Sequence, residues 1–336
     1  MFRILISGGG LAGCTVALEL ARRGHDVILV EKSKTIGGKV RDYGCKATDI
    51  CHQCGLCLAG VHGGSFWSQV EAHPKIKIFF ESQVLDIFGA PGNYQAILKN
   101  KNGVETIAGL THFVAAIGFE PFSDRSSSSL EYQAAETIIT GSRLEKLLKE
   151  RSKKHLFPML PSRVGFIQCY GSRDCREQAG YCSRVCCGYS TRAARVLRQY
   201  YQDAQITFFY MDLQQVETDD SFASLQNEGI EFVRCRPVKI KPGSPPAIVY
   251  EKPETGEIAA YDCDWIILSE GIHPARDTAK TAEIFGLGLT GEGFLKYVKD
   301  PRETGIYLAG CAGGPESIAE VYAGSLRIAR EIQGGI

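Results

Sequence analysis

"FRILISGGGLAGCTVALELARRGHDVILVE" occupies residues 2–31. It opens with an apolar, β-prone run over residues 2–7 and passes into Gly8-Gly9-Gly10-Leu11-Ala12-Gly13. A helical pattern follows, with Ala12, Val16, Ala17, Leu20 and Ala21 on one face and Gly24 as the stop. "DVILVE" is a second strand that ends on an acid, Glu31. This βαβ order gives the three spaced glycines a physical task. Gly8 allows the tight turn, Gly10 lets the backbone approach a pyrophosphate, and Gly13 lets helix pack on strand. The amides at the start of the helix then receive phosphate, and Glu31 accepts ribose hydroxyls.

Three stretches farther along favour FAD as the dinucleotide. "EKSKTIGGK" (31–39) follows the second strand with a Gly-Gly-Lys. "HFVAAIG" (112–118) has the form of a flavoprotein strand end. "TGIYLAGCAGG" (304–314) resembles a C-terminal flavin signature in which an aspartate contacts the ribityl chain; Cys311 stands in that place, so a backbone contact is expected there. A helix from about Glu316 aims its positive end at the isoalloxazine. The cofactor contacts expected are Gly8, Gly10, Leu11, Ala12, Gly13, Glu31, Lys32, Gly38, Lys39, Val84, Ala116, Gly118, Gly310, Cys311, Ser317 and Ile318.

The rest of the chain is consistent with an α/β protein. Its 336 residues suffice for about two domains. Lys plus Arg and Asp plus Glu are 38 each, which argues against holding nucleic acid or anionic lipid by bulk charge. No apolar run reaches the ~20 residues of a membrane span. The first strand begins at residue 2, so no signal peptide is expected and the cytoplasm is the expected compartment. Strands are expected at "IKIFF", "YQAILKN" and "HFVAAIG", a Ser-rich irregular connector over 123–141, and a short helix over 142–150. A second α/β unit starts at "RVGFIQC" and continues through a helix "STRAARVLRQYY" and a strand "QITFFYMD". The expected domains are 1–122 with 275–336 for FAD, a connector over 123–154, and 155–274 for the second Rossmann-like unit.

That second unit lacks a G-x-G-x-x-G. In its place "CYGSRDCREQAGYCSRVCC" (169–187) spends five of the chain's thirteen cysteines, with Cys186-Cys187 placed just ahead of the helix. The cytosol keeps thiols reduced, so clustered cysteines point to metal or redox chemistry. Four thiolates suit zinc or an iron–sulfur cluster. The spacing C-x12-C-x3-C-C departs from paired zinc knuckles, and adjacent cysteines fit the separated corners of a cubane better. A helix N-terminus, with Arg173 and Arg184 close in sequence, favours a negatively charged cluster and raises its potential.

The segment resembles the motif C-x-G-x-R-D-x(6–8)-C-S-x2-C-C of the heterodisulfide reductase A subunit. The resemblance extends through "GGGLAG", "VEKSKTIGGK", "EAHPKIKIFFESQV", "TGSRLEKLL", "FFYMDLQ" and "LAGCAGGPESIAE". It implies a thioredoxin-reductase-like two-domain flavoprotein with two Rossmann-like units, binding FAD and a [4Fe-4S] cluster. Cys169, Cys182, Cys186 and Cys187 match the ligand positions, and Cys175 is the extra thiol. Methanogen members of the family carry an added N-terminal domain and ferredoxin modules. This chain looks like the short form in the heterodisulfide-reductase-like complexes of sulfur oxidisers, for which electron bifurcation is not expected. The partners implied are other subunits of such a complex, and a homodimer is expected by analogy.

A second thiol group, Cys45, Cys51, Cys54 and Cys57, has the spacing C-x5-C-x2-C-x2-C. It reads as a second cluster, a site completed by a partner subunit, or a loop of free thiols. His52 and His62 are assigned no role. Cys14, Cys235 and Cys263 read as small packing residues. Lys39 reads equally as a phosphate or flavin contact and as a solvated lysine. Two readings compete with an electron-transfer flavoprotein: an NAD(P)H-dependent disulfide reductase, which lacks its nucleotide loop, and a scaffold with vestigial sites.

Overall fold

The computed structural model describes residues 1–43, 66–122, 135–150, 161–214 and 222–334. The chain divides into two compact units: Met1–Asp42 with His52–Glu120 and Pro274–Ile336, and Tyr43–Cys51 with Pro121–His273. Each is built on the same plan.

In the first unit β1 (Arg3–Ser7), α1 (Leu11–Arg22) and β2 (Asp26–Val30) form the βαβ unit expected from residues 2–31. After α2 (Phe66–Glu71) come β3 (Ile76–Phe79), then β4 (Gln83–Ala90), β5 (Asn93–Asn100) and β6 (Gly103–Leu110), and then β7 (His112–Ala115). β1 lies at the centre of a five-stranded parallel sheet, flanked by β2 and β3 on one side and by β7 and the strand Ile306–Leu308 on the other. β4, β5 and β6 make a separate antiparallel sheet. Apolar side chains of both sheets share one core, among them Leu5, Ile28, Val84, Leu98 and Phe113.

The second unit has the same sheet layout, except that its outer strand comes first in the chain and not last. β8 (Ile138–Thr140) and α3 (Gly141–Glu150) precede β9 (Arg163–Tyr170), α4 (Cys186–Tyr200), β10 (Gln205–Tyr210), α5 (Phe222–Asn227) and β11 (Ile230–Arg234). Three antiparallel strands follow, β12 (Lys239–Lys241), β13 (Ala247–Glu251) and β14 (Ile258–Asp262), and then β15 (Trp265–Glu270). β9 is central, between β10 and β11 on one side and β15 and β8 on the other, all parallel. A parallel sheet covered by helices buries both faces of its strands. That is why β9, "RVGFIQCY", is mostly apolar apart from Gln168, with every residue after Arg163 buried. Phe166 and Phe208 stack across the sheet with ring centroids 4.7 Å apart.

Three expectations are corrected here. Part of the stretch read as irregular connector is strand: Ile138–Thr140 pairs with Ile266–Leu268 at the sheet edge. Three residues are too few to show a strand period. The second unit's helix begins at Cys186, four residues ahead of the visible helical pattern. Cys186 and Cys187 therefore form its first turn and do not precede it. The C-terminal helix begins at Ile318, with Ser317 as its cap, two residues later than expected. Among the described residues no helix is long and apolar enough to cross a membrane.

At the base of the first sheet Phe2 stacks on His25 and meets His112 edge-on. Burial, and then the positive N-terminus and Arg23, depress the pKa of His25. Burial, and then His25, depress that of His112. Both histidines bind protons more weakly folded than unfolded, so their contribution is complete above the ordinary histidine pKa of 6.5 and is lost as pH falls through their folded values. Melting temperature is expected to drop as pH falls below about 6.5, and H25F/H112F is expected to flatten that part of the profile in a thermal-melt series.

Candidate functional site

The glycine loop of the first unit is only three residues long, Gly8–Gly10, between β1 and α1. Gly8 has φ +112°, and a Cβ there would lie 2.2 Å from the Ala116 carbonyl oxygen. A Cβ on Gly13 would lie 1.9 Å from the Gly8 oxygen. Helix, turn and β7 therefore meet backbone to backbone. A Cβ on Gly10 would meet nothing within 4 Å, which leaves open space beside the helix start. α1 has no side-chain cap. Its first amides, at Leu11, Ala12 and Gly13, have no intrahelical acceptor and are free to bind an anion. The Gly-Gly-Lys segment closes over this loop: Gly37 N–H donates to the Gly9 oxygen at 2.7 Å, and a Cβ on Gly38 would touch the Gly10 Cα.

Glu31 is buried at the end of β2 and accepts from Gly9 N–H at 2.8 Å and Ser33 N–H at 2.7 Å, one on each oxygen. Each oxygen keeps a lone pair for a hydroxyl. The other predicted contacts are distributed unevenly. Ala116 abuts Gly8, and Gly118 has φ +73°. Lys39 extends over the Phe119 ring, 5.7 Å from its centroid. Lys32 is ion-paired to Asp277 at 3.3 Å. Val84 turns its side chain into the core, so it has only backbone to offer. Gly310, at φ +64°, lets Ala12 approach. The buried Cys311 thiol donates to the Glu316 carbonyl and is pushed up to about 12 by burial. It is therefore a neutral thiol where the signature has an acid. Ser317 and Glu320 form a reciprocal capping box. The Ser317 hydroxyl accepts from Glu320 N–H, and the amide of Ile318 opens the helix. Open cradle, bare amides and acid together fit a dinucleotide.

In the second unit the corresponding connection runs from residue 171 to 185, fifteen positions where the first unit has three. The loop folds as a small hairpin. Arg173 N–H donates to Tyr181 O, and Asp174 and Ala179 exchange two bonds. The hairpin returns the chain, so that Cys182 comes back toward Cys169. Cys169 lies where β9 shifts register against β15 and has φ +58°. A bulge of this kind re-aims a side chain. Of five described non-glycine residues with positive φ, four lie in this stretch: Cys169, Arg173, Gln178 and Arg184. Strain of that density is characteristic of functional sites.

The predicted sulfur ligands come together. Cys169, Cys186 and Cys187 are buried in one cluster packed by Tyr189, Met211 and Leu213. Cys186 hydrogen-bonds both Cys169 and Cys187. That bond pulls Cys169 down to about 7 and lowers Cys187, while Cys186 is pushed up. Cys182 is partly exposed, feels the charges of Cys169 and Cys187, and accepts from Arg184 N–H at 3.3 Å; burial raises it. Cys175 is exposed, outside this group. The fifteen-residue α4 directs its uncapped N-terminus at the sulfurs. Arg173 exerts its charge on Cys169 and Cys182. Among the described residues no Cys, His, Asp or Glu group is arranged for a single metal ion. Four thiols, mostly buried, beside a helix N-terminus and an arginine fit a polynuclear sulfur-ligated cluster.

The motif's other positions acquire reasons. A Cβ on Gly171 would collide with Phe122 at 1.9 Å. Ser183 accepts from Ile272 N–H at 2.9 Å. Asp212 follows β10 much as Glu31 follows β2, but its carboxylate is taken by Arg173 at 2.5 Å. Asp174, Asp212 and Arg236 were not singled out from sequence; the Arg-Asp pair inside the motif was the available signal for the first. Cys45, Cys51, Cys54, Cys57, His52 and His62 lie outside the described residues. Cys14 is buried and donates to Gly9 O, Cys263 is in the core, and Cys235 is half-buried.

Comparison with known proteins agrees with this geometry. The family model "FAD dependent oxidoreductase" matches residues 3–42, the first βαβ unit and its Gly-Gly-Lys. The iron-sulfur A subunit of the CoB–CoM heterodisulfide reductase from Methanocaldococcus jannaschii is 25% identical over 95% of this chain and 62% of its own. An A subunit of the same description from Methanopyrus kandleri is 26% identical over 98% of this chain and 63% of its own. Its relatives are heterodisulfide reductase A subunits. The chain spans about three-fifths of the length of these curated relatives. Among solved structures, the thioredoxin reductase of T. acidophilum superposes with a TM-score of 0.62 at 15% identity, covering 98% of this chain and 97% of its own. The fold is therefore that of thioredoxin-reductase-like flavoproteins, as the heterodisulfide reductase resemblance implied.

Proposed function

We propose that this chain is an oxidoreductase subunit carrying FAD in its first unit and a [4Fe-4S] cluster in its second, and that it relays electrons within a heterodisulfide-reductase-like complex of disulfide or persulfide metabolism. The observation that carries the reading is the convergence of Cys169, Cys182, Cys186 and Cys187 on the start of α4. When bound, the two groups supply exchange between two-electron and one-electron transfer. The chain's own residues supply binding and charge. Leu11, Ala12 and Gly13 amides hold the pyrophosphate and Glu31 the ribose. Gly118, Gly310 and Cys311 border the flavin, and the Ile318 helix start faces developing negative charge. Arg173 and the α4 amides stabilise the charge of the cluster.

The names of the relatives support an iron–sulfur component of a larger complex. On this reading residues 1–122 and 275–336 are the FAD domain and 155–274 the cluster domain. On this reading the complex is of the kind found in sulfur oxidisers, cytoplasmic and dimeric, with sulfur-substrate chemistry on a partner protein. Anaerobic purification followed by flavin, iron and sulfide assays and EPR of the reduced protein tests it. About one flavin and about four irons are expected, and about eight if the Cys45–Cys57 group is loaded as well. An iron-free protein whose flavin bleaches rapidly with NADH would establish the disulfide-reductase alternative.

A further inference from the structure

We propose that Arg236, sixty-two residues beyond Asp174 in the chain, is the positioning residue that holds the cysteine loop closed. It rests on the reading of that loop as the cluster site, and its own test does not require the cluster.

The Asp174 side chain is buried, only 5% exposed. Its Oδ1 accepts from Arg176 N–H and Nε–H, and its Oδ2 from Arg176 Nη2 and Arg236 Nη2. A buried carboxylate needs such partners, since stranding one costs far more than an exposed pair gains. The two arginines differ in what they join. Arg176 lies two residues away on the same turn and is 71% exposed, so it ties the loop only to itself. Arg236 comes from the segment after β11 and crosses to the hairpin. One end of its guanidinium donates to Asp174 Oδ2 at 2.6 Å, and the other to the Arg173 carbonyl at 2.7 Å. Arg173 has a left-handed backbone at φ +53°, a conformation that needs support from its surroundings. Arg236 is followed by Pro237, which confines its own backbone to extended conformations. The planar fork thus spans two acceptors on consecutive residues from a rigid base. A lysine keeps the charge but cannot hold both.

The loop so fixed carries Cys182 at its return and leads into Cys186 and Cys187. If Arg236 sets its register, removing the fork frees the thiols without unfolding either core. The test uses the full chain, metal-free and reduced, with iodoacetamide as probe and mass spectrometry to read each cysteine. In R236Q, Cys169 and Cys187 are expected to alkylate at least about tenfold faster than in the wild type, with R236K between the two. Charge-assisted hydrogen bonds of this kind hold a segment closed by that factor or more. Cys14 and Cys263, in the cores, are expected to keep their rates. In reconstituted protein the EPR signal is expected to broaden in R236Q and to sharpen again in R236K, at unchanged flavin content. Equal alkylation of Cys169 and Cys187 in wild type and R236Q overturns the proposal. So does a parallel rise at Cys14 and Cys263, which would make Arg236 a general folding residue. A wild-type chain that takes up no cluster defeats the functional reading, and the alkylation rates still decide the role of Arg236.

Discussion

Replacing Cys186 with serine is expected to abolish the cluster, taking iron from about four per chain to near zero while flavin content stays unchanged. Cys186 is 1% exposed and lies in the first turn of α4, bonded to two of the other three thiols. Its neighbours on the helix are already engaged: Ser190 on the next turn is bonded to Ser269 at 2.8 Å and Tyr189 donates to the Glu270 carbonyl at 3.0 Å. A serine hydroxyl is a hard, weakly acidic donor and a poor substitute for thiolate on iron. Cys175→Ser is the matched control. That residue is exposed on the turn of the hairpin and is expected to retain full iron content and the wild-type EPR signal. Equal iron loss in both variants would show that the ligand set is misassigned.

Gly13→Val is expected to do the same to the flavin. The new Cβ would sit 1.9 Å from the Gly8 oxygen, so the helix must move off the strand. Overpacking of a tight contact costs about 1–3 kcal/mol even before the branched side chain is placed. Displacing α1 also withdraws the amides of Leu11, Ala12 and Gly13 from any phosphate. Loss of about 3 kcal/mol of binding weakens affinity roughly a hundredfold. Purified G13V is therefore expected to be almost free of yellow chromophore, with fluorescence titration by FAD failing to saturate in the range where the wild type does. G10A is the informative contrast: its Cβ meets nothing in the chain, so that variant is expected to fold normally and to lose affinity only through contact with the ligand itself. Full flavin occupancy in G13V would remove the glycine loop from the site.

The two halves of the site were legible in the sequence to different degrees. Glycine positions are readable because the requirement is local: a positive φ or a backbone–backbone approach excludes side chains whatever the rest of the chain does. Gly8, Gly13 and Gly310 each show such a contact. The thiols that come together were readable as candidate ligands because few residues other than cysteine bind iron–sulfur clusters, and their spacing resembles a known motif. What escaped were residues that act from a distance. Arg236 gives no local signal, since an arginine before a proline is as much at home on a surface. Asp212 follows a strand as Glu31 does, but only the hairpin shows that Arg173 occupies it. The early start of α4 was hidden because Cys186, Cys187 and Gly188 are poor helix formers with no apolar period.

By itself the sequence determined the class of protein: two α/β units, a dinucleotide turn in the first, and a soft-ligand loop in the second. These follow from short-range rules of periodicity, backbone freedom and ligand chemistry, which act within about twenty residues. Tertiary structure alone decided that each sheet takes an edge strand from a distant segment, the last strand in the first unit and the first in the second, that Cys169 is turned at a bulge, and that a fifteen-residue loop is pinned by an arginine from beyond the edge strand. Those outcomes depend on which strands pair and which buried charge finds a partner, and both are settled only when distant segments compete for the same space and the same hydrogen bonds.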